Sequence, residues 1–200
     1  MLGTPTRDRA AERRAATRQE IVAAAWAVAR ERGLAEITLR EIAERIGMRA
    51  PSLYSHVDSK NAIYDAMFGE AWTQYGEEMS RIEGRLPDDL AGTLRAYAEH
   101  FVGFATREPV KHLLMNQRTI PGFEPSPESY APAVAVIASL REHLATRGLT
   151  EQEDVDLFVA LVGGLADSQL ANEPGGDRWT RLLPRAIDML VRDIDDRTRA

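Results

Sequence analysis

The sequence predicts an all-α fold, and three observations carry that expectation. Apolar residues recur at three- and four-residue intervals, the signature of one helix face. From Pro87 onward there is no alternating strand pattern and no internal repeat. Pro and Gly cut the chain into helix-length pieces.

Residues 1–16 hold Arg7, Arg9, Arg13 and Arg14 and almost no large apolar side chain. They read as a flexible basic arm, either a solubilising tail or a source of extra phosphate or minor-groove contacts. Thr17 to Arg32 follows as a first helix with Ile21, Ala24, Ala25, Val28 and Ala29 on one face and Gly33 as its stop. Thr38 to Lys60 then reads as two short helices around a glycine. Leu39, Ile42, Ala43 and Ile46 mark the apolar face of the first, and Thr38 with Glu41 makes a capping-box pattern. Gly47 ends it, since glycine takes the left-handed cap conformation without steric cost. Pro51 suits the first turn of the second helix, and Leu53 and Val57 form its apolar edge. Two short helices with glycine between them are the helix-turn-helix arrangement, whose second helix enters the DNA major groove.

A fourth segment starts at Asp58 or Ser59, either of which can cap it, and runs to about Ile82 with Ile63, Met67, Trp72, Tyr75 and Met79 at helical spacing. At 1.5 Å per residue it exceeds ~30 Å, long enough to act as a lever. Further helices are expected over 88–106, 109–117, 127–147, 151–171 and 178–195. Thr150 and Glu153 suggest a second capping box, and Pro184 should kink the last helix or trim its start. Gly163 and Gly164 lie inside an apolar helix, where close helix packing explains them better than a phosphate cradle.

Two hundred residues allow one or two compact units, and 44% hydrophobic with 28% charged residues is ordinary for a globular chain. The absence of cysteine excludes disulfides and thiolate metal sites. No apolar run approaches the ~20 residues of a membrane span. The N-terminus lacks a signal-peptide core, so a cytoplasmic protein is expected. The net charge of −6 is unevenly placed: residues 1–60 hold 11 Lys/Arg against 8 Asp/Glu, residues 61–200 hold 14 against 23. The helix-turn-helix end is therefore positive, and local potential over ~8–10 Å is what phosphates feel.

The run TLREIAERIGMRAPSLYSHVDSK resembles the DNA-binding motif of TetR-family transcriptional regulators. Its most specific part is Leu53 to His56 followed by Ser59 and Lys60, and the likeness is close from about Thr17 to about Ala66. Two residues depart from the family pattern. Val57 replaces a common aromatic and thins the core, and Arg49 replaces a small polar residue and puts a long cation at the mouth of the groove. The resemblance implies a helix-turn-helix DNA-binding domain over 17–62 and a helical regulatory and dimerisation domain over 63–200. It also implies double-stranded operator DNA and a small-molecule effector as partners, and repression relieved by that effector. Arg49, Ser52 and Ser55 are the candidates for base contacts. Arg40, Tyr54, His56 and Lys60 are the candidates for phosphates. A pocket among the middle helices would be lined by Tyr97, Phe101, Phe104, His112, Met115 and Phe158. A two-fold homodimer would form through the last two helices, with Leu161, Leu165, Ile187 and Leu190 at its interface.

No catalytic or cofactor motif is present, and none of His56, His100, His112 and His143 has a second ligand at helical spacing. Neither an enzyme, nor a cofactor, nor a metal site is expected. Two other readings remain open: an enzyme using the apolar cavity, and a helical interaction module without DNA affinity.

Overall fold

A computed structural model describes residues 9–199. Among the described residues every α or 3-10 segment is helical and none is a strand. The α-helices are α1 (Arg9–Arg32), α2 (Leu39–Arg45), α3 (Ala50–Leu53), α4 (Lys60–Glu83), α5 (Leu90–Arg107), α6 (Pro109–Asn116), α7 (Pro127–Ala145), α8 (Gln152–Asn172) and α9 (Leu183–Arg199). Short 3-10 turns precede α2 and α9. No described helix is long and apolar enough to cross a membrane.

The described residues fall into two compact units. The first ends at Glu70 and takes in Arg118–Ser129; the second is Ala71–Gln117 with the chain from Tyr130 onward. The boundary therefore lies inside α4 rather than at 62, and a loop distant in sequence joins the first unit. Phe123 explains why. Its ring lies 5.7 Å from Tyr64 and 6.4 Å from Phe68. Asp65 fixes the rest of the loop, accepting from the Ser126 amide at 2.7 Å and from the hydroxyls of Ser126 and Ser129 at 2.8 Å each.

In the first unit Ile21, Ile37, Ile42, Leu53, Ile63 and Met67 are fully buried. Each contributes about 1.5–3 kcal/mol by leaving water. Helix α1 starts at Arg9, not Thr17, so residues 9–16 are helical rather than a flexible arm; residues 1–8 lie outside the described residues. The alanines at 10, 11, 15 and 16 are the strongest helix formers and make the extension inexpensive even on an exposed face. Thr38 caps α2 as its side chain accepts from the Glu41 amide at 3.2 Å. Glu41 does not complete the box. Its carboxylate instead takes Arg32 at 2.8 Å and Arg45 at 3.1 Å, and Arg45 also grips Glu31. The Arg45 hydrogen bond holds the exposed Glu31 carboxyl below its ordinary range.

In the second unit α5 packs against α8 and α9, and α8 against α9. Leu94, Leu144 and Ile187 are fully buried in its core. Buried Gln169 holds the turn before α9: its side-chain oxygen accepts from the Trp179 amide at 2.8 Å and its amide donates to the Glu173 carbonyl. Pro184 sits in the first turn of α9, where it trims the start and breaks nothing. The Thr150–Glu153 box does not form. Glu151 is the N-cap of α8 and no side chain caps it; the Thr150 hydroxyl donates to Glu151 instead.

Candidate nucleic-acid interface and internal cavity

Helices α2 and α3 are joined by a turn that Gly47 makes possible. Its φ is +67°, and the Met48 amide returns to the Ala43 carbonyl at 2.8 Å, the bond that closes a glycine-capped helix. Arg49 is the extended N-cap of α3 and Pro51 lies in its first turn. The α-helix ends at Leu53, shorter than the expected run to Val57. Tyr54 to His56 continue as hydrogen-bonded turn, and the Val57 amide still reaches the Leu53 carbonyl at 3.1 Å. Buried Leu53 pins this segment to the core, so its other faces are turned outward.

Arg40, Arg49, Ser52, Tyr54 and Ser55 are exposed, and His56 and Lys60 are half-buried. Tyr54 is 56% exposed, a large aromatic with no core role. Ser55 donates to the Ser52 carbonyl at 2.7 Å, and Arg40 pairs with Glu44 at 2.9 Å. Lys60 is anchored: its ammonium donates to the Ala35 carbonyl at 2.9 Å and lies 5.4 Å from the centre of the Tyr64 ring. A phosphate would have to compete with both contacts. Sequence reasoning missed Arg18, whose Nε donates to the His56 carbonyl at 3.3 Å. With Arg14 it borders a concavity beside Ser55 and His56. The basic spacing of the first helix was the available signal, but only the fold brings that helix to the recognition turn.

The second unit contains a cavity of about 320 Å³. Of the six expected lining residues, Tyr97, Phe101, His112 and Phe158 face it, and Phe104 and Met115 do not. Phe104 is spent on the core: its ring packs 5.1 Å from Tyr75, with the Arg107 guanidinium 6.0 Å away. Met115 is buried elsewhere in the unit. The lining also includes Trp72, Tyr75 and Met79 of α4, and Val136, Ile137 and Leu140 of α7. Gly163 and Gly164 line it too. A Cβ at either position would meet nothing within 4 Å among the described residues, so no helix packing within the single chain requires glycine there.

One end of the cavity is polar. His112, 1% exposed, places Nε2 2.7 Å from Asp167 Oδ1, and Gln117 donates to Asp167 Oδ2 at 2.8 Å. Asn116 approaches both the carbonyl and Nδ1 of His112 at 3.2 Å. Asp167 had a sequence signal, a lone carboxylate within the apolar run LVGGLADSQL. Burial foremost, and then nearby Glu83, push the Tyr97 phenol above its ordinary range; Tyr75 shifts the same way by burial and then Glu78. Both rings are neutral at physiological pH. Among the described residues no group of three His, Cys, Asp or Glu could hold a metal ion.

The interface expected on the last two helices needs correction. Ile187 is 0% and Leu190 4% exposed, both within the protomer core, while Leu161 and Leu165 are half-buried. An interface residue must be reachable in the single chain, and the period of α9 turns 187 and 190 inward. Leu157 and Val159 of α8, Leu182 before α9, and Met189 of α9 are exposed instead.

The model of the TetR family of bacterial regulatory proteins matches residues 21–67. The class A tetracycline repressor protein of Escherichia coli is 24% identical over 184 residues, covering 88% of this chain and 78% of that protein. The transcriptional repressor KstR2 of Rhodococcus jostii is 32% identical over 111 residues, but this matches only 50% of this chain and 53% of that one. In structure, the regulator FadR of Bacillus subtilis, solved in complex with stearoyl-CoA, superposes with a TM-score of 0.65 at 15% identity, over 86% of this chain and 97% of that one. At that identity the likeness speaks for the fold. With the helix-turn-helix geometry of α2 and α3, these matches identify residues 21–67 as a TetR-type DNA-binding domain and support a TetR-family transcriptional regulator.

Proposed function

We propose that the protein is an operator-bound repressor released when a small molecule occupies the cavity of the second unit. The observation that carries this reading is a walled, largely apolar cavity in the unit that lacks the helix-turn-helix. Cavities of roughly 300 Å³ and more with few convergent polar groups are where small ligands bind. The relatives support the direction of control, since two are named as repressors, and the FadR structure holds a ligand.

In this reading Arg49, Ser52 and Ser55 read base edges. Arg40, Tyr54, His56 and Lys60 hold phosphates, with Arg14 and Arg18 adding positive potential beside them. Two copies associate through the exposed apolar side chains Leu157, Leu182 and Met189, together with half-buried Leu161, and read a two-fold operator. Helix α4 carries the signal because it contributes Trp72, Tyr75 and Met79 to the cavity and Lys60 to the DNA-binding unit. Ligand shifts the DNA-competent population only insofar as it binds the two states with different affinity.

Genome-wide footprinting of the purified protein, followed by gel shifts on the recovered sites, tests this. Specific protection upstream of genes, lost when the cavity is filled, is the expected result. A protein that protects no specific sequence refutes operator binding. One whose complexes persist with the cavity occupied refutes ligand release.

A further inference from the structure

The residues that line the cavity are apolar apart from one end, and their charge is uneven. Its walls are aromatic and aliphatic, with Trp72, Tyr75, Tyr97, Phe101 and Phe158 supplying rings. No Lys or Arg lines it, and Asp167 is its one carboxylate among the lining residues. Lys111, the buried cation of α6, does not line it; its ammonium donates to Gln74.

His112 Nε2 lies 2.7 Å from Asp167 Oδ1, and Gln117 donates to Asp167 Oδ2 at 2.8 Å. The two contacts fix the orientation of the carboxylate, whose side chain stays 43% exposed and open to a further donor. Beyond Tyr97 a further carboxylate, Glu83, accepts the phenol hydrogen at 3.2 Å. Among the lining residues an anion would meet a carboxylate and no Lys or Arg.

We propose that the cavity takes an organic cation, an apolar or aromatic amine whose ammonium N–H donates to the free lone pairs of Asp167. The assignment rests on the reading of this cavity as the effector site and adds the class of effector. Hydrogen bonds between an ammonium and a carboxylate are the strong ones, and the surrounding rings offer their negative faces to the same charge. A carboxylate of the same shape is disfavoured by the same charge.

The test compares three ligands of nearly one shape: 4-phenylbutylamine, 4-phenylbutanol and 4-phenylbutyrate. Each is titrated calorimetrically into the full-length protein and into Asp167→Asn. In the wild type the amine binds about tenfold tighter than the alcohol, as a charge-assisted bond requires, and the carboxylate binds weakest. Asp167→Asn, with its fold checked by circular dichroism, brings amine and alcohol to within about twofold while sparing the alcohol. The wild-type ranking stands as a test even if the variant fails to fold. A carboxylate that matches the amine, a ranking unchanged in the variant, or an amine that does not bind overturns the proposal. Gel shifts on a footprinted operator separate it from the effector reading. An amine that binds without releasing DNA leaves the cation assignment standing and sinks ligand release. A carboxylate that binds tightest and releases DNA does the reverse.

Discussion

The two units differ in where they leave their chemistry. The first fills its interior and turns its functional groups outward. Ile21, Ile37, Ile42, Leu53 and Ile63 are completely buried, while Arg49, Ser52 and Tyr54 stand in solvent. The second leaves part of its interior empty and turns polar groups inward, with His112 1% exposed at the end of a cavity of about 320 Å³. Under the proposed function the contrast follows, since a surface that reads a rigid duplex needs a stiff platform and a unit that admits a small molecule needs missing atoms. The same contrast predicts how each responds to mutation.

The largest effects lie on α9, where neighbours in sequence should part company. Leu190→Glu puts an unpaired charge in the core of the second unit, a cost of several kcal/mol that should unfold the protein. Met189→Glu, at a position 55% exposed, should give folded monomers that bind a full operator poorly. Sedimentation with circular dichroism reads both outcomes. A folded dimer from Met189→Glu would remove α9 from the interface.

Ile42→Ala tests the filled interior of the first unit. It should cost about 2–5 kcal/mol in chemical denaturation, the range for an emptied core position. A loss much below that would mean that the first unit, too, tolerates voids, and the contrast would fail.

Arg49→Ala tests the outward face without touching any core. Where Arg pairs with guanine, the loss should be about 1–3 kcal/mol and confined to operators carrying that base. Binding across an operator library reads it. A uniform loss over all sequences would make Arg49 a phosphate contact.

Two glycine substitutions compare the packing directly. Gly163→Ala should stabilise by about 0.5–1 kcal/mol, because a helix-interior glycine is replaced where its Cβ meets open space. Gly69→Ala should lose that gain, since its Cβ would stand 3.3 Å from the Ser129 backbone that Asp65 holds in place. Thermal unfolding of the pair decides, and equal shifts would contradict the difference in packing.

The smallest effect concerns His100 in the second unit. Burial holds its imidazole below the ordinary range; Glu78 opposes this and Arg107 reinforces it. Its buried Nε2 has no hydrogen-bond partner among the described residues, and Tyr75 stacks 5.3 Å away. The folded state therefore binds a proton less readily than the unfolded chain. Stability should be full above about pH 6.5 and fall as pH drops from there toward the lowered folded value. His100→Phe should flatten that acid slope, and an unchanged slope would assign it to other groups.

The DNA-binding unit was largely legible in the sequence because its determinants are local. Thr38 caps the helix that follows it, Gly47 makes the turn that it occupies, and Leu53 marks the buried side of its own segment. Each works within a few residues, where helical periodicity and backbone preference decide the outcome. Glu41 shows the limit. Its spacing promised a reach back to Thr38, but Arg32 and Arg45, brought close by packing, took its carboxylate. Tertiary structure decided the rest for the same reason. Four of the six expected residues line the cavity because aromatic spacing marks an inward face, but which inward side chains meet atoms and which meet a void depends on several helices together. Phe104 and Phe158 are both buried aromatics on helices, and only the neighbours make one core and the other wall. The pairing of His112 with Asp167 joins residues 55 apart in the chain. No local rule connects them, because the contact exists only once α6 and α8 face the same space.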